Sequence, residues 1–350
     1  MTNHITPLYS GYMTINYILT FSTLILLSFA SCYSLMTFLI TGADGFIGSY
    51  LNQAFLSKDL APVSTTFAET DLTNKTTVQN LFNDNSNIRL VIHCATAARI
   101  GTDYEATALA NNTLMFMNLL DICQEKKIFL LTLGSGSDVH RDFWSEHMYE
   151  NSHRHYPPPS SDLHGLSKNI ITQIVCKSKY PRIFNLRIFG LIGEGEDYRY
   201  KFIANTIAKC LLGLDITIAR DRLYDFIDVL DLHSLIFLID RMISLGQWDY
   251  THKDINFTTG NPRSLFYIAS YIRDCIDPHI KVNVLQSGRG LGYCGETTLF
   301  RSVFPDFQFT PFETTVARLI DFYRSNLDTL QIEDLMSDHY LEYARTISLP

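Results

Sequence analysis

The 350-residue sequence predicts an α/β protein built on a doubly wound parallel sheet. Two observations carry that reading. Short apolar runs at 38–41, 89–94, 128–133 and 183–189 alternate with segments of helical spacing, and such runs suit strands covered on both faces. Near the start, "LITGADGFIGSYL" (39–51) leaves the first run through a turn holding Gly42, Gly45 and Gly48. It then enters a helical pattern with Ile47, Leu51 and Phe55 at i, i+4, i+8. With 46% hydrophobic residues the chain can bury a large core, as one big domain or two intimate ones.

A formal net charge of −8 without a basic stripe sets nucleic-acid binding aside. Seven cysteines are scattered with no C-x-x-C pair. That usage fits a reducing compartment, so a cytoplasmic location is expected and no metal site or disulfide framework. Residues 1–35 form an apolar N-terminal extension, with "INYILTFSTLILLSFA" at 15–30 and no Lys or Arg before Lys58. They lack the basic flank of a signal peptide or anchor and read as an upstream extension of the frame or a poorly ordered tail, with Met36 as the natural start. A membrane anchor is the competing reading, because the run approaches the ~18–20 residues needed to span a bilayer.

In a strand–turn–helix, a first glycine permits the tight turn, a second lets backbone approach a pyrophosphate, and a third lets helix pack on strand. Gly42, Gly45 and Gly48, with Phe46 and Ile47 between them, stand in that order, and the helix N-terminus would offer N–H groups to the phosphates. An ordinary glycine-rich turn is the alternative.

The G-x-x-G-x-x-G of "TGADGFIG" resembles the extended short-chain dehydrogenase/reductase superfamily, and within it the NAD-dependent epimerase/dehydratase family that modifies nucleotide sugars. The resemblance runs over roughly residues 36–327. It implies a Rossmann-type domain over 36–185 and a smaller C-terminal substrate-binding part over 186–327, some of whose elements return to the sheet. The tail, 328–350, carries no assignment. It further implies NAD or NADP as cofactor, with Asp71 and Leu72 of "ETDLTN" at the adenine and Ala95 and Ala97 of "LVIHCATAA" beneath the dinucleotide. Asn112, in the helix of "NNTLMFMNLLDIC", joins the cofactor contacts. The second strand, "PVSTTFA" (62–68), offers neither the acid that selects NAD nor the arginine that selects NADP, so the choice stays open.

In that family a Ser or Thr, a Tyr and a Lys four residues later do the chemistry, and the Lys also holds the nicotinamide ribose of the cofactor. Here "HGLSK" supplies His164 and Lys168 one helical turn apart, with a histidine where the family has tyrosine. Ser135 and Ser137 of "LLTLGSGSDV" are the candidate hydroxyls. Imidazole titrates near pH 6.5 and phenol near 10, so a histidine can exchange protons at neutral pH, although its reach is shorter. The loop at 140–162 reads equally as a lid or a surface loop. Downstream, Arg199, Lys201 and Arg222 suit a substrate diphosphate, though each reads equally as surface charge. Asp228 and Asp231 read as capping residues.

Asp138 is followed by Val139 and not by the acid a dehydratase would use. The expectation is therefore an NAD(P)-dependent oxidoreductase or epimerase acting on a nucleotide-linked sugar. A cofactor-binding sensor or assembly protein with little turnover is the alternative. The apolar face of 113–123 also permits a homodimer.

Overall fold

The computed structural model describes residues 37–58, 60–97, 99–100 and 103–348, so the expectations placed on residues 1–35 and on Met36 lie outside the described residues. Six parallel strands form the central sheet: β1 (Thr37–Thr41), β2 (Val63–Thr65), β3 (Ile88–His93), β4 (Phe129–Ser135), β5 (Ile183–Ile188) and, much later in the chain, Asp254–Phe257. Their helices are α1 (Phe46–Leu56), α2 (Lys75–Asp84), α3 (Ala108–Lys126) and α4 (Leu163–Lys177).

Period-two alternation sends each strand's side chains to two different cores. Phe38 and Ile40 of β1 pack with Leu51 and Phe55 of α1, whereas Leu39 packs with Val78 and Phe82 of α2 and Phe116 of α3. Each such fully buried side chain contributes ~1.5–3 kcal/mol of transfer energy. Both faces are covered, and this is why the strands read as continuous apolar runs.

Further along lie β6 (Gly190–Ile192), α5 (Phe202–Leu211), β7 (Ile216–Arg220), β8 (Phe226–Asp228) and α6 (Val229–Ser244). They are followed by β9 (Asp254–Phe257), α7 (Leu265–Ile276), β10 (Val282–Gln286) and α8 (Phe312–Ser325). The sheet order is β2-β1-β3-β4-β5-β9, all parallel. α6 packs beside α1 on the first face, so α6 and β9 return to the sheet layer.

A second core joins α5, α7 and α8 to the parallel pair β7–β10, through Ile203, Ile207, Ile268, Val316 and Leu319. The tail continues this core through buried Leu330 and Leu335, the latter in α9 (Ile332–Met336), and ends in α10 (His339–Ser348). Among the described residues no helix is long and apolar enough to cross a membrane.

One buried polar cluster ties the sheet to the loops above it. Arg187, one residue before the end of β5, is 1% exposed and bonds Asp138 (2.9 Å), Asp254 (2.7 Å) and Asn256 (3.0 Å).

Candidate active site

Strand order reverses between β1 and β3, and in open α/β sheets ligands bind in the crevice at such a point, outside the strands' carboxyl ends. Gly42 leaves β1 with φ +65°, and a Cβ there would lie 2.7 Å from the Ala95 Cα just past β3. A Cβ on Gly48 would lie 2.1 Å from the Gly42 carbonyl oxygen. Gly45 differs. Its nearest neighbour is that same oxygen at 3.4 Å, so the protein itself leaves the space open. α1 starts immediately after Gly45 with no side-chain cap and no acidic residue in its first turn, and Phe46 and Ile47 form its half-buried head. An uncapped helix N-terminus carries free N–H groups and partial positive charge, which fits a pyrophosphate.

The crevice walls are held by side-chain bonds. Thr41 Oγ1 accepts from Ala95 N (3.2 Å) and pairs with His93 Nδ1 (2.9 Å). The Asp71 carboxylate accepts from the Thr73 amide and hydroxyl, Leu72 is buried in the core, and Asn118 of α3 donates to the Leu72 and Thr73 carbonyls. Asn112 is held by the chain at both ends of its amide. Its Oδ1 accepts from Ala97 N (2.7 Å) and its Nδ2 donates to Ser167 Oγ (3.1 Å). It braces the crevice loop against α4.

Asp162 caps α4 by accepting from Gly165 N at 2.9 Å, which fixes the first turn where His164 sits. The His164 ring stacks on Tyr104 with centroids 4.6 Å apart and planes within 7°. One turn on, Lys168 donates from Nζ to the Leu133 carbonyl at 2.8 Å. Burial pulls its ammonium down to about 8, against smaller opposing effects of Cys94 and Asp138. At the end of β4, Ser137 Oγ donates to Ser135 Oγ (2.8 Å), and the Tyr293 hydroxyl lies 3.4 Å from Ser135 Oγ.

A cleft of about 600 Å³ opens over this end of the sheet, and Ser135, Ser137, His164, Lys201 and Arg222 all line it. Lys168 lies beneath the lining, near enough to Cys94 to perturb it. Arg199 is not in the cleft wall: its guanidinium is paired twice with the Asp197 carboxylate, at 2.9 and 2.8 Å.

The model of the NAD dependent epimerase/dehydratase family matches residues 38–247, a segment that includes the glycine turn, both serines, His164 and Lys168. The chain belongs to that family. No curated protein matches it. Solved structures similar to it include GDP-L-fucose synthetase from Naegleria fowleri bound to NADP (17% identity, 84% of this chain and 95% of that one, TM-score 0.66). The Bordetella bronchiseptica enzyme WbmG in complex with NAD and UDP is 16% identical over 84% of this chain and 96% of that one, with a TM-score of 0.67. UDP-glucose 4-epimerase from Thermotoga maritima with UDP-glucose is 16% identical over 83% and 100%, with a TM-score of 0.68. At these identities the likeness is one of fold.

Several residues of this epimerase/dehydratase chain line the cleft without having been singled out in the sequence. The 140–162 loop is one wall of it, through Arg141, Trp144 and Asp162 among others, which favours the lid over the plain surface loop. Arg220 lines it too. That residue ends β7, next to Ile218 and Ala219, which also line the cleft. Tyr104 and Tyr293 come from distant loops and had no local signature. Asp138 is fully buried on Arg187 and is not part of the cleft lining. Asp228 caps α6 and pairs with Arg318, while Asp231 accepts from Thr310 N, as capping residues should.

Proposed function

We propose that this chain is an NAD- or NADP-dependent oxidoreductase or epimerase that acts on a nucleotide-linked sugar, with His164 in place of the family's tyrosine. The observation that carries the reading is that His164, Ser135 and Ser137 share one cleft with Lys201 and Arg222, at the carboxyl edge of the same sheet from which the 42–48 glycine turn leaves β1. Gly42, Gly45, Gly48 and the head of α1 would hold the dinucleotide, Ala95 and Ala97 would lie under it, and Asp71 and Leu72 would border its adenine. When bound, the nicotinamide supplies hydride exchange at a sugar carbon. His164 gives a proton to, or takes one from, the oxygen on that carbon, while the linked Ser135–Ser137 hydroxyls orient the same oxygen. The Lys168 ammonium supplies fixed positive charge one turn away. Lys201 and Arg222 neutralise the substrate's diphosphate.

Two measurements test this. Calorimetry with the oxidised and reduced forms of both coenzymes should detect binding of at least one. Hydride transfer with a panel of nucleotide 4-keto sugars should then be slower by about 10²–10⁴-fold in His164→Ala at unchanged coenzyme affinity. Should coenzyme bind while wild type, His164→Ala and His164→Tyr are equally idle, the chain is a cofactor-binding protein without turnover.

The pH dependence follows from Lys168. With its pKa lowered to about 8, the ammonium is present below that pH and lost above it. Turnover should therefore fall as pH rises through 8, and Lys168→Arg should move that fall to higher pH. A profile that is flat from pH 7 to 9.5 in wild type would remove Lys168 from the chemistry.

A further inference from the structure

The last helix lies beyond the segment matched by the family, yet it helps to enclose the cleft. α10 packs on β7 and places Tyr340, Tyr343 and Ala344 in the cleft wall. Toward the second core it is anchored by Lys209 Nζ on Asp338 Oδ2 at 2.6 Å, with Lys209 buried, and by His339 stacked on Tyr200. On the other side is Arg141, which follows β4. Its guanidinium lies 6.0 Å from the centre of the Tyr343 ring and 3.4 Å from the Asp162 carboxylate. α10 thus spans from the sheet layer to the second core.

The same wall is cationic. Arg220 and Arg222 line it, and Nε of Arg220 is buried without a hydrogen-bond partner among the described residues. A buried guanidinium nitrogen with no acceptor is a cost that a ligand's oxygens would remove. Guanidinium groups match diphosphate oxygens, and tyrosine rings offer apolar faces with a polar edge to a planar base.

We infer that α10 forms the wall that holds the nucleoside diphosphate part of the substrate, with Tyr343 against the base and Arg220 on the phosphates. Arg141 positions Tyr343. The inference rests on the reading that the cleft takes a nucleotide-linked sugar.

The test titrates the full-length chain with UDP, GDP and dTDP by calorimetry, with the coenzymes titrated in parallel. Wild type should bind at least one of the three diphosphates. Tyr343→Ala and Arg220→Gln should each weaken it by on the order of tenfold or more, at unchanged coenzyme affinity and melting temperature. Tyr343→Phe, which keeps the ring, should lose less.

A folded Tyr343→Ala that binds as wild type overturns the inference. So does one that binds more tightly, because α10 would then be a plug. If Tyr343→Ala does not fold, Arg220→Gln decides, and unchanged affinity there is fatal. Wild type that binds coenzyme but none of the three diphosphates overturns the substrate reading together with this one.

Discussion

Arg187→Met will cost the fold about 3–5 kcal/mol, because it leaves buried carboxylates without their partner. In wild type the guanidinium, 1% exposed, lies between Asp138 at 2.9 Å and Asp254 at 2.7 Å, and its third arm reaches Asn256. Burial pushes the Asp138 carboxyl up to about 6 even though Arg187 pulls the other way. Without Arg187 only the Thr172 hydroxyl, 3.1 Å from the carboxylate, opposes that push.

A carboxyl whose pKa is raised on folding favours the fold below its unfolded value, near 3.8, and that advantage is lost as pH rises through the folded value. The deficit of Arg187→Met should therefore be largest at neutral pH and shrink toward pH 4. Urea unfolding at pH 7 and pH 4.5 measures it. Adding Asp138→Asn and Asp254→Asn should recover much of the loss, since apolar and neutral groups then share the site. A variant with wild-type stability at pH 7 would mean that the cluster is solvated.

Gly45→Val will weaken coenzyme binding by about a hundredfold, equivalent to ~2.7 kcal/mol, and leave the melting temperature where it was. The reason is geometric. Gly45 has φ −83° and ψ 165°, which any residue adopts, and its Cβ would meet only the Gly42 oxygen at 3.4 Å. The added side chain enters space the protein does not use, over the first turn of α1. Gly48→Ala makes the contrast. Its methyl would sit 2.1 Å from backbone, so α1 must shift off β1, and overpacking of that kind costs ~1–3 kcal/mol of stability. Calorimetry and thermal melts on the two variants separate the effects. Should Gly45→Val bind coenzyme as wild type does, the turn is not a phosphate cradle.

Much of the architecture was open to reading in the chain. The expected apolar runs match β1, β3, β4 and β5 to within two residues, because a strand buried on both faces needs apolar side chains at every position. The glycine turn was readable for a related reason: only glycine tolerates the backbone of position 42 and the contact at position 48. His164 and Lys168 could be paired because one helical turn joins them. Arg187 was not readable, since a charged residue in "NLRIF" argues against burial until the partners at 138 and 254 are known. Arg199 and Arg220 look alike as letters, but a local carboxylate at Asp197 captures the first, whereas the second stands at the end of β7 where that strand meets the cleft.

The chain's local patterns were sufficient for the parallel sheet, the glycine crevice and the His164–Lys168 pair, because each leaves a signature within one strand or one turn of sequence. Folding alone settled the brace made by Asn112, the buried charge cluster and the closing of the cleft by Arg141, Arg220 and α10. Those features arise where segments distant in sequence meet, and only there do charge, burial and distance acquire values.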